Sequence, residues 1–283
     1  MPLLGHAIRL VIREPRRSLA ALIGVAMASA LVTSVLLFGT ASGATVTRRA
    51  LADVKVDAQV VLADGATADA ASTILTADPA VKDVMAFDLV HFDAAALARS
   101  GTATQTGTGV LVGVDAGYGA ATGLFAPSSG APAPGQILIS RDLASNIGAV
   151  PGDRVAFALP GGGSVSLIVS GIVSTVGADL VLGPIDAAHR AAGANAPTNV
   201  AVLARADLET LVLPKIPAGA TAVDPSASNS NPTTKPVFAP DPAVRRELQL
   251  QLDHAQLPGD PVDAQRWLDT VRRRLERQGA GTF

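Results

Sequence analysis

The sequence predicts an α+β protein: one N-terminal transmembrane helix, then an exported domain that opens as a split βαβ layer and continues as a β-rich lobe. Three observations predict it. Residues 19–38 (LAALIGVAMASALVTSVLLF) carry no charge. Residues 54–114 place one helix-compatible segment among β-branched runs, in the order β-α-β-β. From about residue 44, short apolar runs are punctuated by Gly, Pro, Asp and Ser, the pattern of short strands and turns.

At about 1.5 Å per residue the uncharged run reaches roughly 30 Å, the hydrocarbon thickness of a bilayer. Half of it is Leu, Ile, Val or Phe, which favours insertion by roughly 3 to 6 kcal/mol. A soluble helix of this length keeps a polar face, and this run has none. Ala20, Gly24 and Ala28 lie four apart, a spacing that lets a second helix approach closely. Residues 1–17 form an amphipathic, basic leader with Leu3, Leu4, Ala7, Ile8, Val11 and Ile12 near helical spacing, interrupted by Pro15. Arg9, Arg13, Arg16 and Arg17 precede the run, against Arg48, Arg49 and Lys55 after it. The positive-inside rule therefore favours a cytoplasmic N-terminus and an exported remainder. Ala41-Ser42-Gly43 would suit a cleaved signal peptide, but the run is longer than the 7–15 or so residues of a signal core. The expected division is a leader at 1–17, a transmembrane helix at 18–43 and an extracytoplasmic domain at 44–283.

In that domain, residues 54–62 (VKVDAQVVL) predict a strand and 67–76 a helix with apolar Ala71, Ile74 and Leu75, ended by Asp78-Pro79. Strands follow at 81–92 and 106–114. Residues 136–140 (QILIS) predict a strand and 141–147 a short helix ending at Gly148. Pro151-Gly152-Asp153 marks a turn into a strand at 154–159, and Gly161-Gly162-Gly163 a loop before a strand at 164–174. Residues 180–182, a short helix at 185–192 and 199–203 complete this group. Residues 214–242 are rich in Pro, Ser, Asn and Thr and predict a loop. Residues 244–252 predict a strand with Val244, Leu248, Leu250 and Leu252 on one side and Arg246 interrupting the pattern. Asp260-Pro261 caps a final helix to about 278, with Val262, Leu268, Val271 and Leu275 on one broad face and Trp267 beside it. Arg272, Arg273, Arg274 and Arg277 form its solvated face.

The composition excludes several functions. With 22 basic against 24 acidic residues and 3% aromatics, nothing advertises a nucleic-acid surface. With no cysteine there is no disulfide, thiolate metal site or Cys nucleophile. No phosphate-binding Gly-x-x-x-x-Gly-Lys-Ser/Thr loop occurs. Gly109, Gly113 and Gly117 are evenly spaced, but in a strand and its turn with no helix expected after them. His6, His91, His189 and His254 are scattered, without metal-ligand spacing. Ser140 and Ser174 have no nucleophile-elbow context. No catalytic residue, metal or cofactor is expected, and the chain is not expected to be an enzyme.

The leader Arg13-Glu14-Pro15-Arg16-Arg17-Ser18 running into one span resembles the first membrane segment of MacB/FtsX-type ABC transporter permeases. Residues 135–140 (GQILIS), Ala144, Gly148, 151–155 (PGDRV) and 169–173 (VSGIV) resemble the core of that family's extracytoplasmic domain. Residues 184–189 (PIDAAH) resemble its following segment. The resemblance covers most of the chain, through turn motifs of moderate specificity.

The resemblance implies a permease subunit of an ABC transporter in a bacterial plasma membrane, acting in export or in transmission of motion across the membrane. A separate cytoplasmic ATPase would hydrolyse ATP, and the assembly would be dimeric. It implies a porter-like split βαβ base at about 50–118 and 240–283, with a β-rich lobe inserted at about 119–239. The family has three further spans, and no second long apolar run follows residue 38. Those helices are expected from the same gene downstream or from a second chain. The alternative is a free-standing, membrane-anchored extracytoplasmic binding or scaffold module.

Overall fold

A computed structural model describes residues 55–63, 66–99, 101–125, 132–175, 178–183, 197–222, 242–253, 255–256 and 261–277. The leader with Arg9, Arg13, Arg16 and Arg17, the apolar run with Ala20, Gly24 and Ala28, the segment 184–196 and most of 214–242 lie outside them. No helix among the described residues is long and apolar enough to cross a membrane.

The fold is mixed α+β and dominated by one sheet. Its strands are β1 (Ala58–Val61), β2 (Val81–Phe92), β3 (Ala94–Arg99), β4 (Thr102–Thr106), β5 (Gly109–Val114), β6 (Gln136–Ser140), β7 (Arg154–Ala158), β8 (Ser164–Val173), β9 (Val200–Ala204) and β10 (Val244–Leu252). The helices are α1 (Ala68–Thr76), α2 (Tyr118–Thr122), α3 (Arg141–Ile147), α4 (Asp179–Leu182), α5 (Arg205–Asp207) and α6 (Pro261–Arg277). A π turn at Leu208–Val212 and a 3-10 turn at Leu213–Lys215 continue α5. The sheet order is β1-β10-β2-β5-β9-β6-β8-β7-β3-β4. Both β1 and β2 run antiparallel to β10, so they are parallel to each other and linked through α1. That is a split βαβ arrangement. β5 joins this end to the rest, pairing with β2 on one side and with β9 on the other.

Local chemistry accounts for most of these elements. Thr67 caps α1 by accepting from the Ala70 N–H at 3.4 Å, and Ala71 and Leu75 are the residues it buries. Of the long strand β2, one side (Phe87, Leu89) packs under α2 and α4, together with Val112, Val202, Tyr118 and Leu182. Its other side faces two clusters. Ala86 joins Val60, Leu248, Leu250, Leu75, Val271 and Leu275 beneath α1 and α6. Val90 and Phe92 join Leu111, Ile139, Leu143, Phe157 and Leu208 beneath α3 and the turns after α5. Full burial of one such Leu or Phe is worth about 1.5–3 kcal/mol.

Three expectations need correction, and one stretch without a sequence assignment proves helical. The predicted strand 106–114 is two strands: β5 begins at Gly109, while Thr106 ends β4, the outer arm of a hairpin that also contains β3. Gly101, at φ +84°, lies in the turn of this hairpin. A helix does follow Gly117, because that glycine, at φ +87°, starts α2 directly. The stretch after β9 is helical, with Leu208 and Val212 buried one turn apart. Val262 is 58% exposed. Nine residues at about 100° each place it half a turn round from the buried Val271, so it cannot share that face.

Candidate functional site

Of the residues that carry the family resemblance, 135–155 and 169–173 converge on one structural unit around β6, α3 and β8, while 13–18 and 184–189 lie outside the described residues. Ser140 ends β6 and caps α3. Its Oγ accepts from the N–H groups of Leu143 (3.1 Å) and Val200 (3.2 Å) and donates to the Thr198 carbonyl at 2.9 Å. The side chain is fully buried. With its proton and both lone pairs engaged, Ser140 ties β6, α3 and β9 together and has nothing left for nucleophilic chemistry. Gly148 ends α3 in the left-handed conformation, its N–H returning to the Ala144 carbonyl.

The Pro151-Gly152-Asp153 turn is a second tie. Gly152 takes φ +97°, which a side chain would disfavour. Its N–H donates to the Val169 carbonyl at 2.7 Å, and the Val169 N–H donates back to the Asp153 carbonyl at 2.8 Å. The Asp153 carboxylate accepts from the Val150 N–H at 2.7 Å and pairs with Arg99 of β3. The Val150 N–H, followed by Arg99, holds this carboxyl below the usual range. In the 169–173 strand the register between β6 and β8 slips, with Ile137 opposite Val169 but Leu138 opposite Gly171. The extra residue, Ser170, donates its hydroxyl to the Ile137 carbonyl at 2.9 Å, fixing a bulge.

The evenly spaced glycines have a packing reason. A Cβ on Gly109 would lie 2.3 Å from the Asn199 carbonyl oxygen and 2.3 Å from Phe92 Cζ; one on Gly113 would lie 3.1 Å from Leu208 Cβ. Asn199 is the hub beside Gly109. It donates to Thr106 Oγ1 (3.3 Å) and the Thr108 carbonyl (3.0 Å), and accepts from Asn146 of α3 at 2.9 Å.

The least expected feature is a buried polar row on β10. Arg245, Glu247, Gln249 and Gln251 share the side covered by α2 and α4, and Glu247 and Gln249 are fully buried. The Tyr118 hydroxyl donates to Gln249 Oε1. Gln251 Nε2 donates to the Ala121 carbonyl at 2.8 Å. Arg245 reaches the Val181 and Gly183 carbonyls at 3.3 and 3.4 Å. Glu247 pairs with Arg245 and accepts from Gln59 Nε2 at 3.3 Å. The ion pair is a charge contact and not an aligned hydrogen bond. Among the described residues, Arg245 Nε, Glu247 Oε1 and Gln249 Nε2 have no hydrogen-bond partner. Burial pushes the Glu247 carboxyl up to about 7 despite Arg245, and raises the Tyr118 phenol. On the opposite side, Asp88 faces Arg246 across the β2–β10 pair, and burial pushes its carboxyl up to about 6. The row can hold or release protons near neutrality. It contains no nucleophile paired with a base, and no group of three potential metal ligands occurs among the described residues.

The arginines of α6 are engaged locally. Arg272 pairs with Glu276 at 2.8 Å, and Arg274 reaches Asp78 at 3.4 Å. Arg273 and Arg277 donate to the carbonyls one turn earlier. Trp267 donates its indole N–H to Asp78 at 3.3 Å. Of the sequence's serine and histidine candidates, Ser174 follows β8 and His91 lies in β2, where its backbone N–H bonds the Ala243 carbonyl at 2.9 Å. His6, His189 and His254 lie outside the described residues.

No family model matches the sequence, and no curated protein does. A solved structure does resemble it. The periplasmic region of MacB from Actinobacillus actinomycetemcomitans is similar with a TM-score of 0.44 and 9% identity, over 81% of this chain and 87% of that one. With so few shared residues, function has to be argued from the chain's own side chains.

Sequence reasoning missed Glu247, Gln249, Tyr118 and Asn199. Alternating polar residues at 245, 247, 249 and 251 are the ordinary signature of a solvated strand face. The one tyrosine of the chain, in a stretch of Gly and Ala, was the available signal that α2 covers something.

Proposed function

We propose that the chain is the membrane-anchored part of an ABC transporter permease subunit, with residues 44–283 as its extracytoplasmic domain. A separate cytoplasmic ATPase would drive it, in export or in transmission of motion across the membrane. The observation that carries the proposal is one unit: the Ser140 cap, the Pro151-Gly152-Asp153 turn and the Ser170-Gly171 bulge. These are the positions at which the sequence resembles permease extracytoplasmic domains, and each has a specific backbone duty here. The uncharged run 19–38 and the arginines ahead of it supply the anchor and its orientation. The described side chains offer structural ties rather than a catalytic pair, which fits a part that is moved by an ATPase elsewhere.

The test uses the absence of native cysteine. Thr73→Cys on the exposed side of α1 should react with a membrane-impermeant maleimide in intact cells, and affinity purification from the native host should recover an ABC ATPase. Labelling only after lysis overturns the orientation. Labelling in intact cells without any ATPase replaces the permease reading with the anchored binding or scaffold module.

A further inference from the structure

α2 is five residues long, too short to persist as a helix by itself, and it is bounded by glycines in the left-handed conformation, Gly117 at φ +87° and Gly123 at φ +74°. Glycine moves between backbone regions at little steric cost, and a Cβ on Gly117 would meet nothing within 4 Å, so that end is not wedged by its surroundings. What holds α2 to the sheet is one ring and three hydrogen bonds. Tyr118 packs against Phe87 of β2, ring centroids 5.8 Å apart, and donates its hydroxyl to Gln249 of β10. Gln251 Nε2 donates to the Ala121 carbonyl and the Lys55 N–H to the Thr122 carbonyl, both at 2.8 Å.

Beneath this hinged cover lies Glu247, with none of its surface exposed. An ionised carboxylate out of water needs several well-aligned donors. Glu247 has the Gln59 amide at 3.3 Å and the misaligned Arg245, and its Oε1 has no hydrogen-bond partner among the described residues. The other titratable groups that act on it are Tyr118 on α2 and Asp88 on the opposite side of β2. Its neighbours on the flanking strands, Val61 and Phe87, are apolar, as are Val181 and Leu182 of α4. Asp83, opposite Gln251, and Asp57, which accepts from the Leu252 N–H at 2.8 Å, are exposed and stand four or more residues along β10. The closed geometry therefore suits the neutral acid, and the carboxylate gains most from water, which enters when Tyr118 lifts away.

We propose that α2 is a proton-gated flap: it lies closed over β10 while Glu247 carries a proton and opens, on Gly117 and Gly123 as hinges, when that proton leaves. This goes beyond the permease reading and does not depend on it. Opening withdraws the Thr122 carbonyl from the Lys55 N–H, so the proton also sets how firmly the segment leading into β1 is tied to the sheet.

The test uses thiol probes in the full, otherwise cysteine-free chain in detergent. Thr122→Cys places a thiol on α2 at a fully buried position; Val90→Cys places one, equally buried, on the other side of β2 in the cluster beneath α3. The reaction rate with dithiodipyridine, divided by that of the urea-unfolded chain at the same pH, reads the fraction open. Burial holds the Glu247 proton up to about 7, against 4.5 in water, so the ratio at residue 122 should rise by up to about 25-fold between pH 5.5 and 8. The ratio at residue 90 should not follow it, and Glu247→Gln should make the ratio at 122 independent of pH. Amide exchange at Ala121 and Gly123 of the unmodified chain, corrected for base catalysis, should show the same rise without any substitution. A ratio at 122 that is flat with pH overturns the proposal, as does amide exchange without the excess. So does a rise shared equally by residue 90, which means unfolding of the whole domain, or a rise that survives Glu247→Gln, which places the proton elsewhere.

Discussion

Replacing Ser140 by Ala removes one oxygen atom and leaves three backbone groups without their partner. Loss of an N-cap costs about 1 kcal/mol. The Val200 N–H and the Thr198 carbonyl add about 1 kcal/mol or more each, since the site is fully buried and water cannot replace the hydroxyl. The total is about 3 kcal/mol, a large part of the 5–15 kcal/mol that domains usually possess. At about 2–3 kcal/mol per molar of urea, the midpoint should fall by roughly 1–1.5 M. Trp267, the single tryptophan, reports on α6, and far-UV circular dichroism reports on the whole fold; coincident transitions of the full chain in detergent would support a two-state analysis. Ser145→Ala, on the exposed side of the same helix, is the control and should stay within about 0.5 kcal/mol of the parent. A Ser140→Ala effect below about 1 kcal/mol, or one equal to that of Ser145→Ala, would refute the view of Ser140 as a three-way tie.

Gly109→Ala should prevent stable folding or cost more than about 3 kcal/mol, because its Cβ meets a backbone carbonyl that cannot step aside, while Gly107→Ala, with open space around it, should be near neutral in the same urea titration. For Glu247, the folded carboxyl titrates at about 7 against 4.5 in the unfolded chain. The folded state therefore holds more protons in that window, and stability should fall as pH rises from about 4.5 to 7, by up to about 3 kcal/mol. Glu247→Gln leaves Arg245 without its partner, so the comparison is between slopes: the variant should lose most of the decline between pH 6 and 7 and keep the smaller contribution of Asp88 at lower pH. Equal slopes would remove Glu247 as the cause. Tyr118→Phe leaves both ends of the Gln249 amide unpaired and should cost about 1–2 kcal/mol by urea unfolding, with Phe87 and Phe125 still packed on the ring.

Elements whose signal is local were legible in the sequence. α3 runs from Arg141 to Ile147 as its Ser cap and Gly stop indicate, β2 and β10 have the bounds their apolar runs suggest, and Asp78-Pro79 lies just beyond the end of α1. Elements defined by what lies against them were not. Nothing in the Thr- and Ala-rich residues 94–106 distinguishes a hairpin at a sheet edge from a polar loop, because neither of its strands shows strong alternation. The helical turns after β9 were obscured by the approach to Pro214, although Leu208 and Val212 have helical spacing. The burial of Glu247 depends on α2 and α4, distant in sequence and together only nine residues long. The turn motif was recognisable, but which atoms it ties could be read only from geometry.

The polar row on β10 has a physical rationale once the size of what it holds is considered. α2 and α4 are too short to be positioned by apolar contact alone, which is strong but has no direction. Hydrogen bonds from Tyr118, Gln251 and Arg245 do have direction, and they fix both segments against one strand. The cost is a buried carboxyl and several atoms without hydrogen-bond partners, an arrangement that favours one geometry over many similar ones. It also makes this side of the sheet depend on a late part of the chain. Residues 245–251 bind groups 62 to 188 residues earlier, and β10 fills the gap between β1 and β2. A chain that stopped before residue 244 would leave the twelve-residue β2 as an open edge and α2 and α4 without their hydrogen-bond partners. The split βαβ end of the fold can therefore close only after β10 is made.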